Sequence, residues 1–463
     1  MTETVLCKVP GRPHCIGQWL RVYFAVEVVV LEFLGIIILL VLIGLSIGLH
    51  EIGHLVPAKK FGVKVIDYAI GFGPTIFKTQ RGETKYHIKL IPLGGFIRMI
   101  GMFPPAREGS VSMGGRFARL IDDAREHSES EIGEADRDRT FYRLSVPRRL
   151  VVMTGGPLMN LFLSAILFAV VFSGIGVSVA ANTVGGVIPC VPSKTNPAGT
   201  AGIAGCIDSE ESPAAKAGIA VGDTFVSVDG VKTSTYEEVV TQLRTHAAGE
   251  STTLVMDTKL GRKTFTLVFA DALIEQYDEQ GKSLGTFEHR PLLGFVAGAK
   301  LEPLPLSDIP GIMWTMSIDS GKALLSFPQK LYQLGSDLLS GNQRKTDGPI
   351  SVVGISRLSG EVVASDLEVS LKVQEILGMA ASLNLFLFLF NLVPLPPLDG
   401  GHAAAAIYEG ARRRVARLRR TGDPGPVDVA RLLPLTYVVS AVLLLSGLLV
   451  IVADFVAPIS LGY

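Results

Sequence analysis

The amino-acid sequence predicts a polytopic α-helical membrane protein with four transmembrane helices. Of the 463 residues, 48% are hydrophobic and only 19% are charged, and the mean hydropathy is +0.40, which is too apolar for an ordinary soluble enzyme. Four stretches without a charged side chain reach or approach the roughly 20 helical residues that cross a bilayer: 33–49, 150–180, 376–398 and 432–453. The balance of 43 basic and 43 acidic residues gives no indication of a nucleic-acid partner.

The distribution of basic residues predicts the orientation of these spans. Short basic loops lie on the cytoplasmic side of a membrane, and the segment between the third and fourth spans carries Arg412, Arg413, Arg414, Arg417, Arg419 and Arg420. The loop between the first and second spans is then also cytoplasmic, and residues 183–370 and both termini lie outside. This orientation places His50 near the cytoplasmic end of the first span and Asp399 at the same depth.

Two regions of the sequence admit alternative interpretations. Residues 1–29 have neither an apolar h-region nor a small-residue cleavage site, so they are not predicted to be a secretory signal. They are an N-terminal extension of uncertain status, and a translation start near Val30 or Leu31 is the alternative. Cys190 and Cys206 lie in the external region, where a disulfide can form, but two free buried thiols are equally compatible with the sequence.

The loop after the first span is predicted to contain a β-hairpin and then a polar insert. Polar and apolar residues alternate in 85–91, which indicates a strand, and Gly94 and Gly95 are a turn signal. Two short strands are therefore predicted to follow the first helix. Residues 104–140 are polar, with charges of both signs, a composition typical of a solvated and mobile segment.

The external region carries a regular pattern of short elements. A strand signal, TVGGVIP, precedes a short helix start at 213–217, an alternating strand at 223–228, a tight turn at Asp229 and Gly230, and an amphipathic helix at 236–246. This order resembles a PDZ domain. A less regular part follows, with one amphipathic helical stretch at 321–339, and no clear internal repeat is present.

Three ionisable residues, His50, Glu51 and His54, lie at the end of the first apolar span, in GLHEIGHL. Ionisable groups at membrane depth are costly and are kept only with partners or with a function. Histidines at i and i+4 lie on one face of a helix, where both can bind one metal ion, and the glutamate between them can take a proton from water. Imidazoles with a carboxylate suit zinc, and a catalytic zinc site keeps its fourth position open.

Such a site requires a third ligand, and the best candidate is Asp399 in NLVPLPPLDGGH. The prolines and glycines around it interrupt the third span, so that irregular backbone can line a cavity. Taken alone, Asp399 could equally face water at a helix end, as could His402. Asn391 could hydrogen-bond a neighbouring helix or bind a substrate carbonyl, and the residues alone leave this choice open.

Taken together, the motifs resemble the site-2 protease family of intramembrane zinc metalloproteases. The motifs are HEIGH, GFGP at 71–74, PLGGF at 92–96, GGPLMN at 155–160, the PDZ-like region, GPISVVGIS at 348–356 and NLVPLPPLDGGH at 391–402. Their order and spacing are similar to the bacterial regulator-of-sigma-E branch, peptidase family M50. The resemblance extends from residue 30 to about residue 452, and the polar insert is most similar to actinobacterial members. Residues 1–29 have no counterpart.

The resemblance implies a role for each matching residue. Zn2+ is expected to be held by His50, His54 and Asp399, with Glu51 as the general base. Asn391, assisted by Asn384, is expected to hold the substrate or the developing oxyanion. The segment containing Gly94 and Gly95 is expected to form a membrane-associated hairpin that pairs with an extended substrate strand. Asn160 is expected to pack against the catalytic helix.

The resemblance also implies the biological activity. We expect regulated intramembrane proteolysis, in which single-span proteins such as anti-sigma factors are cut within the lipid bilayer of the bacterial plasma membrane after their external domain has been trimmed. The PDZ domain is expected to act as a size filter, and capture of a peptide or substrate ectodomain is the alternative. A PDZ-bearing scaffold or a metal transporter is the competing interpretation, although transporters usually show repeated halves.

The predicted division of the chain follows from these assignments. It comprises the extension at 1–29, the first transmembrane helix at 30–56, the cytoplasmic loop with hairpin and insert at 57–149, the second helix at 150–182, the PDZ domain at 183–272, its C-terminal extension at 273–372, the third helix at 373–401, a basic cytoplasmic loop at 402–431 and the fourth helix at 432–457.

Overall fold

The computed structural model describes residues 13–105, 116–201, 205–206, 209–277, 283–341, 344, 348–365 and 367–459. The α-helices in these ranges are α1 Pro13–Lys60, α2 Arg116–Ser130, α3 Val146–Phe168, α4 Pro213–Lys216, α5 Tyr236–Leu243, α6 Ile309–Ser340, α7 Val352–Ala364, α8 Val369–Asn391, α9 Asp399–Leu418 and α10 Leu433–Val456. The strands are β1 Val65–Arg81, β2 Thr84–Met99, β3 Val177–Val187, β4 Thr224–Val228, β5 Val231–Lys232, β6 Ser251–Thr258, β7 Gly261–Val268, β8 Ala270–Tyr277, β9 Ser283–Leu292 and β10 Phe295–Glu302.

Four of the described helices are long and apolar enough to cross a membrane, which confirms the predicted number of spans. They are Val29–Lys60, Val146–Ile175, Val369–Asn391 and Val429–Val456. The second span is shorter than predicted, because α3 continues only through a π-helical segment, Ala169–Ile175, and Gly176 follows with φ +111°. Residues 177–182, assigned from the sequence to this span, belong to β3. Part of the N-terminal extension is helical from Pro13, and residues 1–12 lie outside the described ranges.

The third predicted span is interrupted. Helix α8 ends at Asn391, and a separate helix, α9, begins at Asp399. The connecting residues include Pro394, Pro396 and Pro397, and proline cannot continue a helix because it lacks the backbone N–H and clashes with the preceding turn. The predicted helix at 373–401 is therefore two helices, and most of the predicted basic loop at 402–431 lies on α9.

Helices α1 and α3 cross with their backbones in contact. A Cβ atom on Gly53 would lie 2.3 Å from the carbonyl oxygen of Gly155, and one on Gly155 would lie 2.0 Å from that of Gly53. Small residues are the usual means by which membrane helices approach this closely. Helix α3 also contacts α8 through a hydrogen bond, in which Ser164 Oγ donates to the carbonyl oxygen of Ala381 at 2.9 Å. The three helices α1, α3 and α8 thus share one junction.

The hairpin predicted after the first span is present, but its strands are longer and its turn lies elsewhere. Strands β1 and β2 contain 17 and 16 residues, and Gly82 and Glu83 close the turn between them. The turn predicted at Gly94 and Gly95 is wrong. These glycines lie within β2, where the strand changes partners: Ile91 pairs with Phe72, whereas Gly95 pairs with Ile70.

The polar insert is more structured than its composition predicts. Residues 116–130 form the amphipathic helix α2, whose Ile121 is buried. Ion pairs tie this region to distant parts of the chain: Arg98 of β2 binds Glu131 at 2.9 Å, and Arg125 binds Asp428. The prediction of a mobile segment is therefore corrected for the described part of the insert, while residues 106–115 lie outside the described ranges.

A second compact unit comprises Phe172–Leu304. Its main sheet has the strand order β10-β3-β4-β6-β7, with β5 paired to β4, and β8 and β9 form a separate ribbon. The core contains Phe225, Leu254 and Met256. The predicted turn at Asp229 and Gly230 is confirmed, since both have positive φ, +49° and +80°.

The boundaries of this unit differ from the predicted PDZ boundaries. Residues 273–304 contribute β9 and β10, and β10 pairs with β3 along its length, so the sheet extends beyond the predicted end at 272. The predicted helices near 213, 236 and 321 correspond to α4, α5 and α6. Cys190 and Cys206 form a disulfide with an S–S distance of 2.02 Å, which resolves the alternative left open by the sequence. The assignment of the unit as a PDZ domain stays a prediction.

Candidate metal centre

The structure brings His50, His54 and Asp399 together. The Nε2 atoms of the two histidines are 3.2 Å apart, and Asp399 Oδ2 lies 3.2 Å from His50 Nε2 and 3.3 Å from His54 Nε2. Among the residues described, this is the cluster of histidine, cysteine and carboxylate groups that could hold a metal ion. Three ligand atoms from segments nearly 350 residues apart in sequence thus form a nearly equilateral triangle.

The size of this triangle fits zinc. Ligand atoms about 2.0–2.1 Å from a zinc ion at tetrahedral angles are roughly 3.3–3.4 Å from one another, close to the three observed separations. Two imidazoles and one carboxylate are also a common donor set for catalytic zinc, with the fourth position left to water or substrate. The side chains of His50, His54 and Asp399 can therefore hold one zinc ion with little movement.

Helix α3 positions His54 from the side. His54 Nδ1 donates to the carbonyl oxygen of Val152 at 2.7 Å, which leaves the Nε2 lone pair free for a metal ion. The imidazole occupies the space beside Gly156, where a Cβ atom would lie 2.1 Å from Nε2. The GGPLMN motif is thus part of the wall of the site. The sequence singled out this motif for helix packing, and its local pattern does not indicate the contact with His54.

Two glycines fix Asp399 at the start of α9. A Cβ atom on Gly400 would lie 2.3 Å from the carbonyl oxygen of Val393, and one on Gly401 would lie 2.6 Å from the nitrogen of Pro396. The first turn of α9 therefore packs directly on the preceding proline-rich segment. This packing holds the Asp399 carboxylate at the end of the interrupted span, facing the two histidines.

The side chain of Glu51, a residue of α1, faces the hairpin. Its side chain is buried, and a Cβ atom on Gly95 would lie 3.0 Å from Glu51 Cγ. The hairpin is anchored here by Tyr68, whose hydroxyl donates to the carbonyl oxygen of Gly48 at 2.8 Å. Burial, together with the nearby Glu51 carboxylate, raises the pKa of Tyr68 to about 12, so the phenol stays protonated as a donor. Tyr68 was not predicted from the sequence.

The other predicted site residues differ in their surroundings. Asn391 is half-buried at the last position of α8, and its side chain makes no hydrogen bond to a described residue. Asn384 is fully buried and bonded to α1, which favours a role within the protein over contact with a substrate.

Gly94 has φ +92°, and a Cβ atom there would lie 2.3 Å from the ring of Phe72, so only glycine fits. His402 is half-buried on α9, and burial lowers its pKa.

Comparison with known proteins places this geometry in context. The profile of peptidase family M50 matches residues 38–422. The zinc metalloprotease Rip1 of Mycobacterium tuberculosis is 31% identical over 448 residues, an alignment that covers 92% of this chain and 98% of that protein. The zinc metalloprotease RasP of Geobacillus kaustophilus is 26% identical over 457 residues, covering 88% of this chain and 96% of that protein. The mycobacterial relatives agree with the predicted similarity to actinobacterial members.

Proposed function

The chain belongs to peptidase family M50 and is a zinc metalloprotease with several membrane spans, and we propose that it cleaves single-span membrane proteins within their transmembrane segments. The observation that carries the proposal is the location of the site. His50, Glu51 and His54 lie within the apolar helix Val29–Lys60, so the substrate bond has to come to a site among membrane helices. Membership in a protease family favours this activity over the scaffold and transporter interpretations.

Different residues of the chain would carry out separate parts of the hydrolysis. Zinc, when bound, acidifies water and polarises a carbonyl group. Glu51 lies next to the histidine pair and accepts the proton of the attacking water, then delivers it to the leaving amine as a general acid. Asn391, at the end of α8 and free of protein hydrogen bonds among the described residues, is the candidate donor to the substrate carbonyl oxygen.

A strand edge beside Glu51 supports the proposal that a substrate peptide binds as an added strand. Residues 67–70 of β1 have partners on both sides, 95–98 on one and 85–88 on the other, whereas residues 95–98 pair only with 67–70 within the part of the chain that the structure describes. An extended peptide could therefore add to the outer edge of 95–98 through backbone hydrogen bonds. Gly95 at this edge contacts Glu51, so an added strand would run past the general base. The peptide has to leave its helical conformation first, because a helix occupies its own backbone hydrogen bonds.

The second compact unit is proposed to act on the other side of the membrane. The arginines of α9 and the lysines at the end of α1 favour a cytoplasmic location for the loops near the site, and on this proposal Phe172–Leu304 lies outside. From there the unit would exclude substrates that retain a bulky external domain, or would bind a peptide end of the substrate. Anti-sigma factors with a trimmed external domain are the proposed substrate class.

Mapping the cut tests the proposal. The full-length protein is incubated in lipid nanodiscs with a single-span anti-sigma-type protein, and the products are identified by mass spectrometry. With a trimmed substrate, we expect the new peptide ends to fall within the apolar segment. With an untrimmed substrate, we expect cleavage only after residues 183–304 of the protease are deleted. Cleavage confined to exposed loops would overturn the intramembrane assignment, and unchanged discrimination after the deletion would overturn the filter role.

A further inference from the structure

Three buried polar atoms near the catalytic helix have no hydrogen-bond partner among the described residues. They are His50 Nδ1, Asn160 Oδ1 and Asn384 Oδ1. Asn160 is 1% exposed and Asn384 is 0% exposed, so bulk water does not reach them. Buried polar groups are nearly always paired with protein or with ordered water, and three unpaired atoms in one part of a protein therefore require an explanation.

Asn160 lies at the level of His50. Gly156 of α3 is in contact with His54 Nε2, and Asn160 follows Gly156 by one helical turn. His50 precedes His54 by one turn, and consecutive spans run in opposite directions through a membrane. Residues four apart share one face of a helix, so the step from Gly156 to Asn160 on α3 matches the step from His54 to His50 on α1.

Asn384 approaches α1 from α8 about one helical turn before His50. Its Nδ2 donates to Ser46 Oγ at 2.9 Å and to the carbonyl oxygen of Ala380 at 2.8 Å, and Ser46 precedes His50 by one turn. The orientation of the amide is fixed, because a carbonyl oxygen can only accept and the group facing Ala380 must be the NH2. Asn384 Oδ1 is therefore an acceptor for which the described residues offer no donor.

The contact between α3 and α8 indicates that the two asparagines lie at a similar level of these helices. Ser164 Oγ bonds to the carbonyl oxygen of Ala381. Asn160 precedes Ser164 by one turn, and Asn384 follows Ala381 by nearly one turn on a helix that runs the other way. Asn160, Asn384 and His50 thus lie within about one helical turn, roughly 5.4 Å, of one another at the junction of α1, α3 and α8.

We propose that a single buried water molecule joins His50 Nδ1, Asn160 Oδ1 and Asn384 Oδ1 and so fixes the orientation of the His50 ring. The donors and acceptors balance. His50 Nδ1 carries the hydrogen because Nε2 faces the other metal ligands, so the water accepts one hydrogen bond from His50 and donates one to each asparagine. Buried waters typically make about three hydrogen bonds of this kind. The proposal rests on the zinc site of the proposed function.

The water gives His50 the support that Val152 gives His54. A histidine ligand usually donates its second ring N–H to a carboxylate, a carbonyl or a water, and loss of that partner lowers metal affinity about 10-fold to 100-fold. His54 Nδ1 has the Val152 carbonyl oxygen. Asn160 and Asn384 are on this account positioning residues, which act on zinc through His50 and do not touch the substrate.

Zinc affinity, rather than cleavage, provides the readout. Zinc binding to the full-length protein in nanodiscs is measured by competition with a chromogenic chelator for wild type, Asn160→Leu and Asn384→Leu, with thermal unfolding as a check on folding. We expect each substitution to lower zinc affinity about 10-fold to 100-fold. The double variant should lose little more than either single variant, because one water links both side chains.

Matched controls separate this role from helix packing. Ser164→Ala removes the α3–α8 hydrogen bond, and Ser46→Ala removes the Asn384–Ser46 bond, but both leave the three atoms in place and should keep wild-type zinc affinity. Asn160→Asp keeps an acceptor oxygen and should restore binding if Asn160→Leu impairs folding. Equal zinc affinities in all variants, or a density map that resolves ordered water and shows none within about 3.2 Å of His50 Nδ1, would overturn the proposal even if the enzyme cleaves its substrate.

Discussion

Replacement of Gly156 by alanine is predicted to weaken zinc binding strongly although Gly156 is not one of the candidate ligands. The added Cβ atom would lie 2.1 Å from His54 Nε2 and 2.7 Å from both neighbouring ring carbons. Ordinary van der Waals contact begins near 3.4 Å, so the ring would have to move by about 1.3 Å, whereas zinc–ligand distances tolerate only about 0.2 Å. His54 cannot swing aside freely, because its Nδ1 is bonded to Val152 at 2.7 Å.

The assay compares Gly156→Ala with Gly378→Ala, a substitution in helix α8 whose added Cβ would meet no atom of the described residues within 4 Å. We expect Gly156→Ala to lose about 100-fold in zinc affinity and about 1–3 kcal/mol of stability through overpacking, measured by chelator competition and by thermal unfolding. Gly378→Ala should keep both. Wild-type zinc affinity in a folded Gly156→Ala protein would refute the placement of His54 against α3.

Three further predictions follow from other contacts. Asp399→Ala should remove zinc from the purified protein, measured by elemental analysis, whereas Asp423→Ala, a change in an exposed carboxylate, should retain it; retained zinc in the first variant would contradict the ligand set. Asp454→Asn should lower the free energy of unfolding by about 3–5 kcal/mol, since Asp454 pairs with the buried Arg344 at 2.6 Å, and an unchanged thermal midpoint would argue against that ion pair. Replacing Cys190 and Cys206 together by serine should destabilise the unit Phe172–Leu304 by about 3 kcal/mol, as measured by limited proteolysis, and equal protease resistance would count against the disulfide.

The candidate metal ligands and the four apolar helices were predictable because the signals are local. HEIGH indicates two candidate ligands by their spacing along one helix, and a charge-free run of sufficient length indicates a span regardless of its neighbours. Asp399 needed a further argument, from the prolines that interrupt its span. The roles of Gly156 and Val152 depend on how α3 crosses α1, and neither residue type nor spacing indicates this crossing.

The errors arose where structure depends on distant partners. Gly94 and Gly95 have the composition of a turn, but their place within β2 is set by pairing with β1. The insert has the composition of a mobile segment, yet Arg125 pairs with Asp428, 303 residues away. The end of the second unit was misplaced because β10 completes the sheet by pairing with β3, more than a hundred residues earlier.

Cleavage and zinc content measured together in wild type and Glu51→Gln test the central claim most directly. Both proteins are purified at full length in nanodiscs, loaded with zinc, and incubated with a trimmed single-span substrate. Because Glu51 is not a ligand in the observed triangle, the account predicts equal zinc in both proteins and a loss of cleavage of at least about 100-fold in the variant. Cleavage by zinc-loaded Glu51→Gln at the wild-type rate, or no zinc in either protein, would contradict it.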